Sequence, residues 1–538
     1  MLFMQLTSVN MLLNFTYMQY MMFFKNKPLF FSHVCNRLFL MVLLMCLFLL
    51  KETNLHAFVG FNEEPSVQKC SGTRVFTLKE AIACAQAFSP EAQAAEHTYR
   101  AAYWNYRSFK ANYLPTVSLV SNPYLNRQIN KVTQPDGTEL FIRQNQLITD
   151  LGLTVSQNLP FTGGNFFIET SVKRMDEFSG NQKSYNTQPI SVGYSQSLFG
   201  YNYLKWDKRI EPVKYREACK TYAETLELIA SKTCELFYAL AYAQTNLNIA
   251  QSNYASADTL YRFARGRYNI GSITENEMLQ LEVNKLNEET NMMQAKIEVE
   301  DAMLTLKSFL GIKEDIDLEV VPSDSISSFE VPLDEAIAQA FSNSPDIDSY
   351  ERRRLESRSE LASAKASRGL KADLYLQFGL SQTSEYFKES YRNPLDQQYV
   401  SLSVSIPILD WGRGKGKVRV AKSQVSLVDT QVAQATTDFE LNVRKMVRQF
   451  NLQAHQVKVA RKTDITATRR YDVALKLYIM GKSSLLDLNS AISEKDSARR
   501  NYISAMQTYW TLYYGLRSLT QYDFEKRCPL WHEVKFDF

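Results

Sequence analysis

Thr77-Leu78-Lys79-Glu80-Ala81-Ile82 and Pro332-Leu333-Asp334-Glu335-Ala336-Ile337 read as two copies of one segment. Each precedes, at the same distance, a Ser-Pro-acid triplet: Ser89-Pro90-Glu91 and Ser344-Pro345-Asp346. Self-similarity at a fixed offset marks a duplicated unit. Serine is favoured at a helix N-cap, proline suits the first helical position, and an acid beside it complements the helix dipole, so each triplet starts a helix. Thr77 and Glu80 have capping-box spacing for the short helix before the first triplet.

Beyond each triplet the same order recurs: a helix, an alternating strand region, a very long helix, a glycine-marked turn and a return helix. The first copy runs over 91–310 and the second from 346 to about 522. Between them, 311–331 contains Pro322 with several Ser and Asp residues, and reads as a linker or a small equatorial element. The organisation expected is therefore a targeting segment 1–57, a first structural repeat 77–310 with strands within 115–200, the linker 311–331, a second repeat 332–522 with strands within 373–409, and a tail 523–538.

The strand regions alternate with period two: Leu151, Leu153 and Val155; Val192, Tyr194 and Leu198; Leu374, Leu376, Phe378 and Leu380; Leu402, Val404, Ile406 and Ile408. Ser, Thr, Gln and Gly lie between. Such alternation fits a half-buried soluble sheet or a barrel with lipid outside and water inside. An export signal and Asn- and Ser-rich connections tilt the choice toward the barrel.

The helices are long for a globular protein. No proline occurs over 416–478, and Val418, Ala421, Val425, Val428, Val432, Ala435 and Phe439 step by three and four, a heptad seam. At 1.5 Å per residue a helix over 413–478 is about 100 Å long, and a similar one covers 203–268. The return helices, 274–310 and 484–520, are shorter by almost half. Stacking 274–310 on 345–370, and 484–520 on 90–112, would match each long helix in height.

The chain has 538 residues, 45% hydrophobic, and 61 basic against 57 acidic residues that are well mixed. No basic stripe is present to neutralise phosphates, so nucleic acid is not an expected partner. Lys25, Lys27 and Arg37 precede the apolar run 38–50, which is short for a bilayer span and reads as a secretory signal rather than a membrane anchor. Seven cysteines, Cys35, Cys46, Cys70, Cys84, Cys219, Cys234 and Cys528, show neither CxxC nor zinc spacing. Met45 and Lys69 are not the small residues that lipidation at Cys46 or Cys70 requires.

The duplicated segments with their Ser-Pro starts, the strand end Ser405-Ile406-Pro407-Ile408-Leu409-Asp410-Trp411-Gly412, and the turns Arg267-Tyr268-Asn269-Ile270-Gly271-Ser272-Ile273-Thr274 and Tyr478-Ile479-Met480-Gly481-Lys482-Ser483-Ser484-Leu485-Leu486-Asp487 together resemble the TolC family of outer-membrane efflux channels. The resemblance covers about 78–520. It implies a mixed α/β membrane protein: a homotrimer whose strands close one transmembrane β-barrel, and whose antiparallel coiled-coil helices form a hollow α-barrel across the periplasm. Physics supplies a reason for the trimer, because four strands with free edges cannot sit in lipid until neighbours close them. The implied partners are a periplasmic adaptor, an inner-membrane transporter and outer-membrane lipid. No cofactor is implied, and the other functional class considered is a periplasmic structural or adaptor-like coiled coil. One departure stands out. The strand ending occurs twice in the first half, at Gln157-Asn158-Leu159-Pro160-Phe161-Thr162-Gly163-Gly164 and at Ser195-Gln196-Ser197-Leu198-Phe199-Gly200, where the family has two strands per half. Either the barrel is larger or the extra hairpin lies outside the membrane count; the second reading is preferred.

In the family a carboxylate pair just beyond the turn glycine narrows the pore. Asp487 matches the first aspartate, Ser490 replaces the second, and Glu277 and Gln280 hold the related places in the other copy. Ser484 with Asp487 and Thr274 with Glu277 also have capping-box spacing, so a purely structural role stands beside the pore role. Tyr478 matches a tyrosine that latches the closed tip, with Tyr268 its counterpart, but Ser483 replaces the usual basic companion. Ile270, Gly271, Ser272, Met480, Gly481 and Lys482 are the docking points implied for the adaptor, or plain exposed turns. Gly412-Arg413-Gly414-Lys415-Gly416-Lys417 lacks the spacing and the Ser or Thr of a P-loop, and reads as a strand-to-helix turn. The five histidines are scattered and form no ligand pair, so neither a metal site nor a hydrolase triad is expected.

Overall fold

A computed structural model describes residues 74–312, 317–322, 326, 329–480 and 482–530. The targeting segment, Cys70, Gly481 and the end of the tail lie outside the described residues.

Strand β1 (Arg74–Thr77) leads into α1 (Leu78–Phe88) through the expected capping box: the Glu80 N–H donates to Thr77 Oγ1 at 3.4 Å and the Thr77 N–H to Glu80 Oε2 at 3.0 Å. Ser89 caps α2 (Pro90–Ala111), its Oγ accepting from the Ala92 N–H at 3.1 Å. In the second half α5 (Leu333–Asn343) is followed by α6 (Pro345–Arg368), with Ser344 Oγ accepting from the Asp346 N–H at 3.2 Å. The two long helices, α3 (Tyr203–Asn269) and α7 (Arg413–Ile479), have 67 residues each, and the return helices, α4 (Glu275–Leu310) and α8 (Leu485–Thr520), 36 each. Among the described residues no helix is long and apolar enough to cross a membrane.

The stacking of the shorter helices differs from expectation. Helices α2 and α4 both pack on α3, and α4 ends against the start of α2: a Cβ on Gly311 would lie 3.1 Å from Phe88 O and 3.5 Å from Pro90 Cδ. Helices α6 and α8 each contact both α3 and α7. The stacked pairs are thus α2 with α4 and α6 with α8. At 22 and 24 residues, α2 and α6 are too similar for length to choose between the pairings. Strand β7 (Leu318–Val321) chooses, because its parallel pairing with β1 brings the exit of α4 to the head of α1 and α2.

Where these elements meet, α1, α3, α4, α5, α7, α8 and the β1–β7 pair share one apolar core. Phe237, Tyr238, Leu240, Phe450 and Tyr509 are fully enclosed in it. The heptad seam of α7 enters this core at Phe439, Val443 and Val447, while Val418, Ala421 and Val425 nearer the sheet are only half-buried. One charged cluster borders the core. The Arg517 guanidinium donates twice to Glu227, at 2.8 and 3.0 Å, and once to Asp523 at 3.0 Å. Burial raises the Glu227 carboxyl above its ordinary value, with Arg517 opposing.

The sheet contains β2 (Thr116–Val120), β3 (Tyr124–Thr133), β4 (Glu139–Leu159), β5 (Gly164–Glu177), β6 (Gln182–Ser197), β8 (Lys371–Ser384) and β9 (Leu395–Ser405). All neighbours are antiparallel in the order β2-β4-β5-β6-β8-β9, and β3 extends the β2 edge along β4. The extra first-half hairpin is β5–β6. It lies within the sheet: β5 pairs with β4 from end to end, and β6 pairs with β8 on its far side. Long-range strand pairing is not encoded in local pattern, which is why the sequence left the hairpin's place open. Among the described residues β9 pairs only with β8, and β2 and β3 only with β4, so both edges of the sheet are open.

Removing one partner of a buried ion pair strands the other charge. Glu227→Ala should lower unfolding stability by about 3 kcal/mol, read as a shift of the denaturation midpoint, whereas Lys232→Ala, in an exposed pair with Glu235, should leave it nearly unchanged.

Candidate functional site

Far from the sheet, each long helix reverses into its return helix. At the end of α3, Gly271 adopts φ +72°, its N–H donates to Tyr268 O at 2.9 Å, and the Ser272 N–H donates to Arg267 O at 2.8 Å. This is a Schellman termination, which needs a left-handed residue where glycine has no Cβ to clash. At the end of α7 the Met480 N–H reaches Lys476 O at 3.1 Å and the Lys482 N–H reaches Leu477 O at 2.9 Å. The expected site residue between them, Gly481, lies outside the described residues. Ile270 and Met480 project at the two turns, 76% and 58% exposed. Tyr268 is exposed and Tyr478 half-buried.

Both carboxylates singled out from sequence cap their own helices. Thr274 Oγ1 accepts from the Glu277 N–H at 3.3 Å, and Glu277 Oε2 accepts from the Thr274 N–H at 3.4 Å. Ser484 and Asp487 form the same reciprocal pair at the head of α8, with Asp487 Oδ2 accepting from Ser484 Oγ at 2.6 Å, from the Ser484 N–H at 3.3 Å and from Ser483 Oγ at 3.3 Å. These bonds, the Ser484 hydroxyl foremost, hold the Asp487 carboxyl below its ordinary value. Both acids remain exposed to solvent, as do Gln280 and Ser490. Ser490 Oγ donates to Glu494 Oε1 at 3.3 Å, and Glu494 is also paired with Arg470. The turns pair short-range charge with two projecting apolar side chains. Among the described residues no group of three His, Cys, Asp or Glu side chains could hold a metal ion.

A family model described as outer membrane efflux protein matches residues 81–312 and 336–520, most of the chain. The chain belongs to that family. Solved structures agree on the fold: the Campylobacter jejuni CmeC outer membrane channel is 15% identical with a TM-score of 0.59, over 82% of this chain and 85% of that one. CusC is 15% identical with a TM-score of 0.58, over 85% of this chain and 95% of that one. The open-state Neisseria gonorrhoeae MtrE outer membrane channel is 16% identical with a TM-score of 0.57, over 82% of this chain and 88% of that one. A curated relative, toxin and drug export protein A of Aggregatibacter actinomycetemcomitans, is 22% identical over 147 residues. That match covers 27% of this chain and only 32% of the relative's length. The efflux protein is thus an outer-membrane protein with a long periplasmic helical portion, from a family of channels and not of enzymes.

One feature of the efflux protein escaped sequence reading. A groove of about 540 Å³ between α3, α4 and α8 is lined by Asn246, Asn253, Asn284, Asn291 and Asp496. The Asn253 Nδ2 donates to Asp496 Oδ2 at 2.8 Å, and Asp496 is 5% exposed. The asparagines stand seven residues apart on each helix, at positions where polar side chains fix the register of a coiled coil. That spacing was the available signal, but it lies on separate helices that only the fold brings together.

The Asp487 cap contributes above the ordinary aspartate range and is lost as pH falls through the depressed value. Amide exchange in the first turn of α8, corrected for its intrinsic rate, should be flat from neutral pH downward and accelerate only below the ordinary aspartate range. Ser484→Ala should accelerate it at neutral pH by roughly five-fold, about 1 kcal/mol.

Proposed function

We propose that three copies of this chain form the exit duct of an efflux or type I secretion assembly, and that each chain arose by duplication of one helix–strand–helix unit. The observation that carries the trimer is the pair of open sheet edges on a membrane protein. Backbone N–H and C=O groups have no water to bind in hydrocarbon, so an edge must meet another edge. The half-buried seam at Val418, Ala421 and Val425 supports the same reading, since a neighbouring chain's helices would complete its burial.

In this reading the turn residues Ile270, Gly271, Ser272, Met480, Gly481 and Lys482 receive the helical hairpin of a periplasmic adaptor coupled to an inner-membrane pump. Two projecting apolar side chains on a polar tip suit such a contact. Asp487, joined by Glu277 with Gln280 and Ser490 near it, narrows the inner mouth. Threefold symmetry turns each acid into a ring of like charge that draws cations and resists closure. The capping role does not compete with this, because every hydrogen bond that Asp487 accepts in its cap falls on Oδ2. Tyr478 and Tyr268, one on each long helix beside its turn, act as the latch of the closed tip. The curated relative's name assigns that protein toxins and drugs, which supports export as this chain's role.

The efflux protein should migrate as heat-modifiable trimers from outer-membrane fractions and conduct ions in planar bilayers. Recovery as soluble, non-conducting material would favour a periplasmic structural coiled coil. Asp487→Ala should raise single-channel conductance or weaken block by divalent cations; unchanged values for both would remove Asp487 from the constriction.

A further inference from the structure

The β5–β6 hairpin carries the same two-faced pattern as the strands on either side. Cross-strand partners place Val117, Val155, Ile168, Val192, Phe378 and Leu153, Leu376, Val400 on one face, with Phe166, Tyr194 and Val172 among them. The opposite face is polar across the same strands apart from an aromatic row, Phe167 on Tyr375 and Tyr375 on Tyr399. Ser171 Oγ donates to Gln188 Oε1 at 3.3 Å, Gln188 Nε2 to Gln397 Oε1 at 3.3 Å, and Gln377 Nε2 to Ser191 Oγ at 2.7 Å. This ladder runs through the hairpin into the second-half strands, and both faces continue across it on either side of a bulge in β6 between Thr187 and Ser191.

Length and flanks agree. Apolar positions on β5 run from Phe166 to Val172, the same number of residues as from Leu374 to Leu380 on β8, and seven residues rise about 20 Å. Phe166, Ile168 and Ile190 are exposed on this face, as Val117, Leu153 and Phe378 are on its neighbours. Exposed aromatics stand at both ends of the strands: Phe161, Phe199 and Trp411 toward the helices, Tyr386, Phe387 and Tyr391 in the distal loop. An apolar band between two aromatic girdles is the signature of a barrel wall in lipid.

We infer that the β5–β6 hairpin is a membrane-spanning part of the barrel wall, its Phe166–Ile168–Val172 and Ile190–Val192 face in contact with lipid acyl chains. This rests on the trimeric channel proposed above and sets its width. The sheet is six strands across, since β3 continues the β2 edge, so three copies close a barrel of eighteen strands in place of the twelve that four per chain would give. Barrel diameter grows roughly linearly with strand number, so the outer-membrane exit is about 1.5-fold wider. A hairpin outside the wall would need no apolar face and would break the polar ladder.

Spin labels test the claim on the full chain in lipid vesicles, with Cys35, Cys46, Cys70, Cys84 and Cys528 replaced by serine and the buried Cys219 and Cys234 retained. Labels enter singly through Leu153→Cys, Leu376→Cys, Ile168→Cys, Val192→Cys, Glu169→Cys and Ser195→Cys, and only variants that still form trimers are compared. Labels at 168 and 192 should match those at 153 and 376, favouring oxygen over a water-soluble nickel chelate several-fold, while 169 and 195 show the reverse preference. Water exposure at 168 and 192 with 153 and 376 still in lipid overturns the hairpin's place in the wall. Water exposure at 153 and 376 themselves instead overturns the membrane-channel reading beneath it. Cryo-electron microscopy of the unsubstituted protein decides independently: eighteen strands around the barrel support the inference, and twelve refute it.

Discussion

The constraint on which this molecule depends is the unmet hydrogen bonding at its two sheet edges. Within one chain, β9 ends the sheet on one side and β2 with β3 on the other, and neither edge finds a partner among the described residues. In water such edges invite uncontrolled pairing; in hydrocarbon each unpaired group costs several kcal/mol. Closure by further copies answers both problems at once. It also explains why the helices nearest the sheet leave their seam half-covered while the seam farther down is buried. In the proposed trimer the packing near the sheet comes from other chains, whereas around Phe450 and Tyr509 it comes from the same one.

That inner core makes the long helices possible. Helices of this length draw their stability from packing more than from propensity. Here α3 and α7 are gripped near mid-length by α1, α5 and the β1–β7 pair. Arg517 fixes the vertical register there, since its planar fork meets Glu227 on α3 while it also holds Asp523 beyond the end of α8. Toward the turns such packing gives way to short-range devices: Schellman terminations, capping boxes and isolated ion pairs. The terminations and caps involve only neighbouring residues, while the ion pairs Asp258–Lys285 and Arg470–Glu494 tie each long helix to its return helix.

The division between short-range and long-range interactions also marks what could be read without coordinates. Ser89-Pro90, Thr274 with Glu277, Ser484 with Asp487 and Gly271 act through chemistry spanning three to five residues, and each does in the structure what its spacing implied. Helix ends were therefore legible almost to the residue. Partner choice was not. Helices α2 and α6 are nearly equal in length, so nothing in the sequence chose which would stack on α4; the pairing of β1 with β7, strands far apart in sequence, decided it. The hairpin posed the same problem, since alternation says that β5 and β6 are strands but not beside which strands they lie. The asparagine groove was invisible for a related reason, its residues being divided among three helices that only the fold brings together.

The hairpin's position shows how such a wall can grow without disturbing what it supports. An inserted pair of antiparallel strands returns the chain to the end from which it left, so α3 still starts beside the end of β4; one extra strand would have delivered it to the wrong side. Asn202 ties the junction from both sides. Asn202 Oδ1 accepts from the Lys205 N–H at 3.0 Å, capping α3, and its Nδ2 donates to Pro160 O at 3.1 Å in the β4–β5 turn. Gly163, at φ +79°, lets that turn pass so close that a Cβ would lie 2.8 Å from the Asn202 side chain. Asn158 meanwhile donates to Asn112 O at 3.1 Å at the end of α2. The strands on either side of the insertion thus keep their anchors to the helices. Wall width and helix packing are therefore separate features of this fold, since the sheet carries an added strand pair between β4 and α3 while Asn202 still joins the end of β4 to the start of α3.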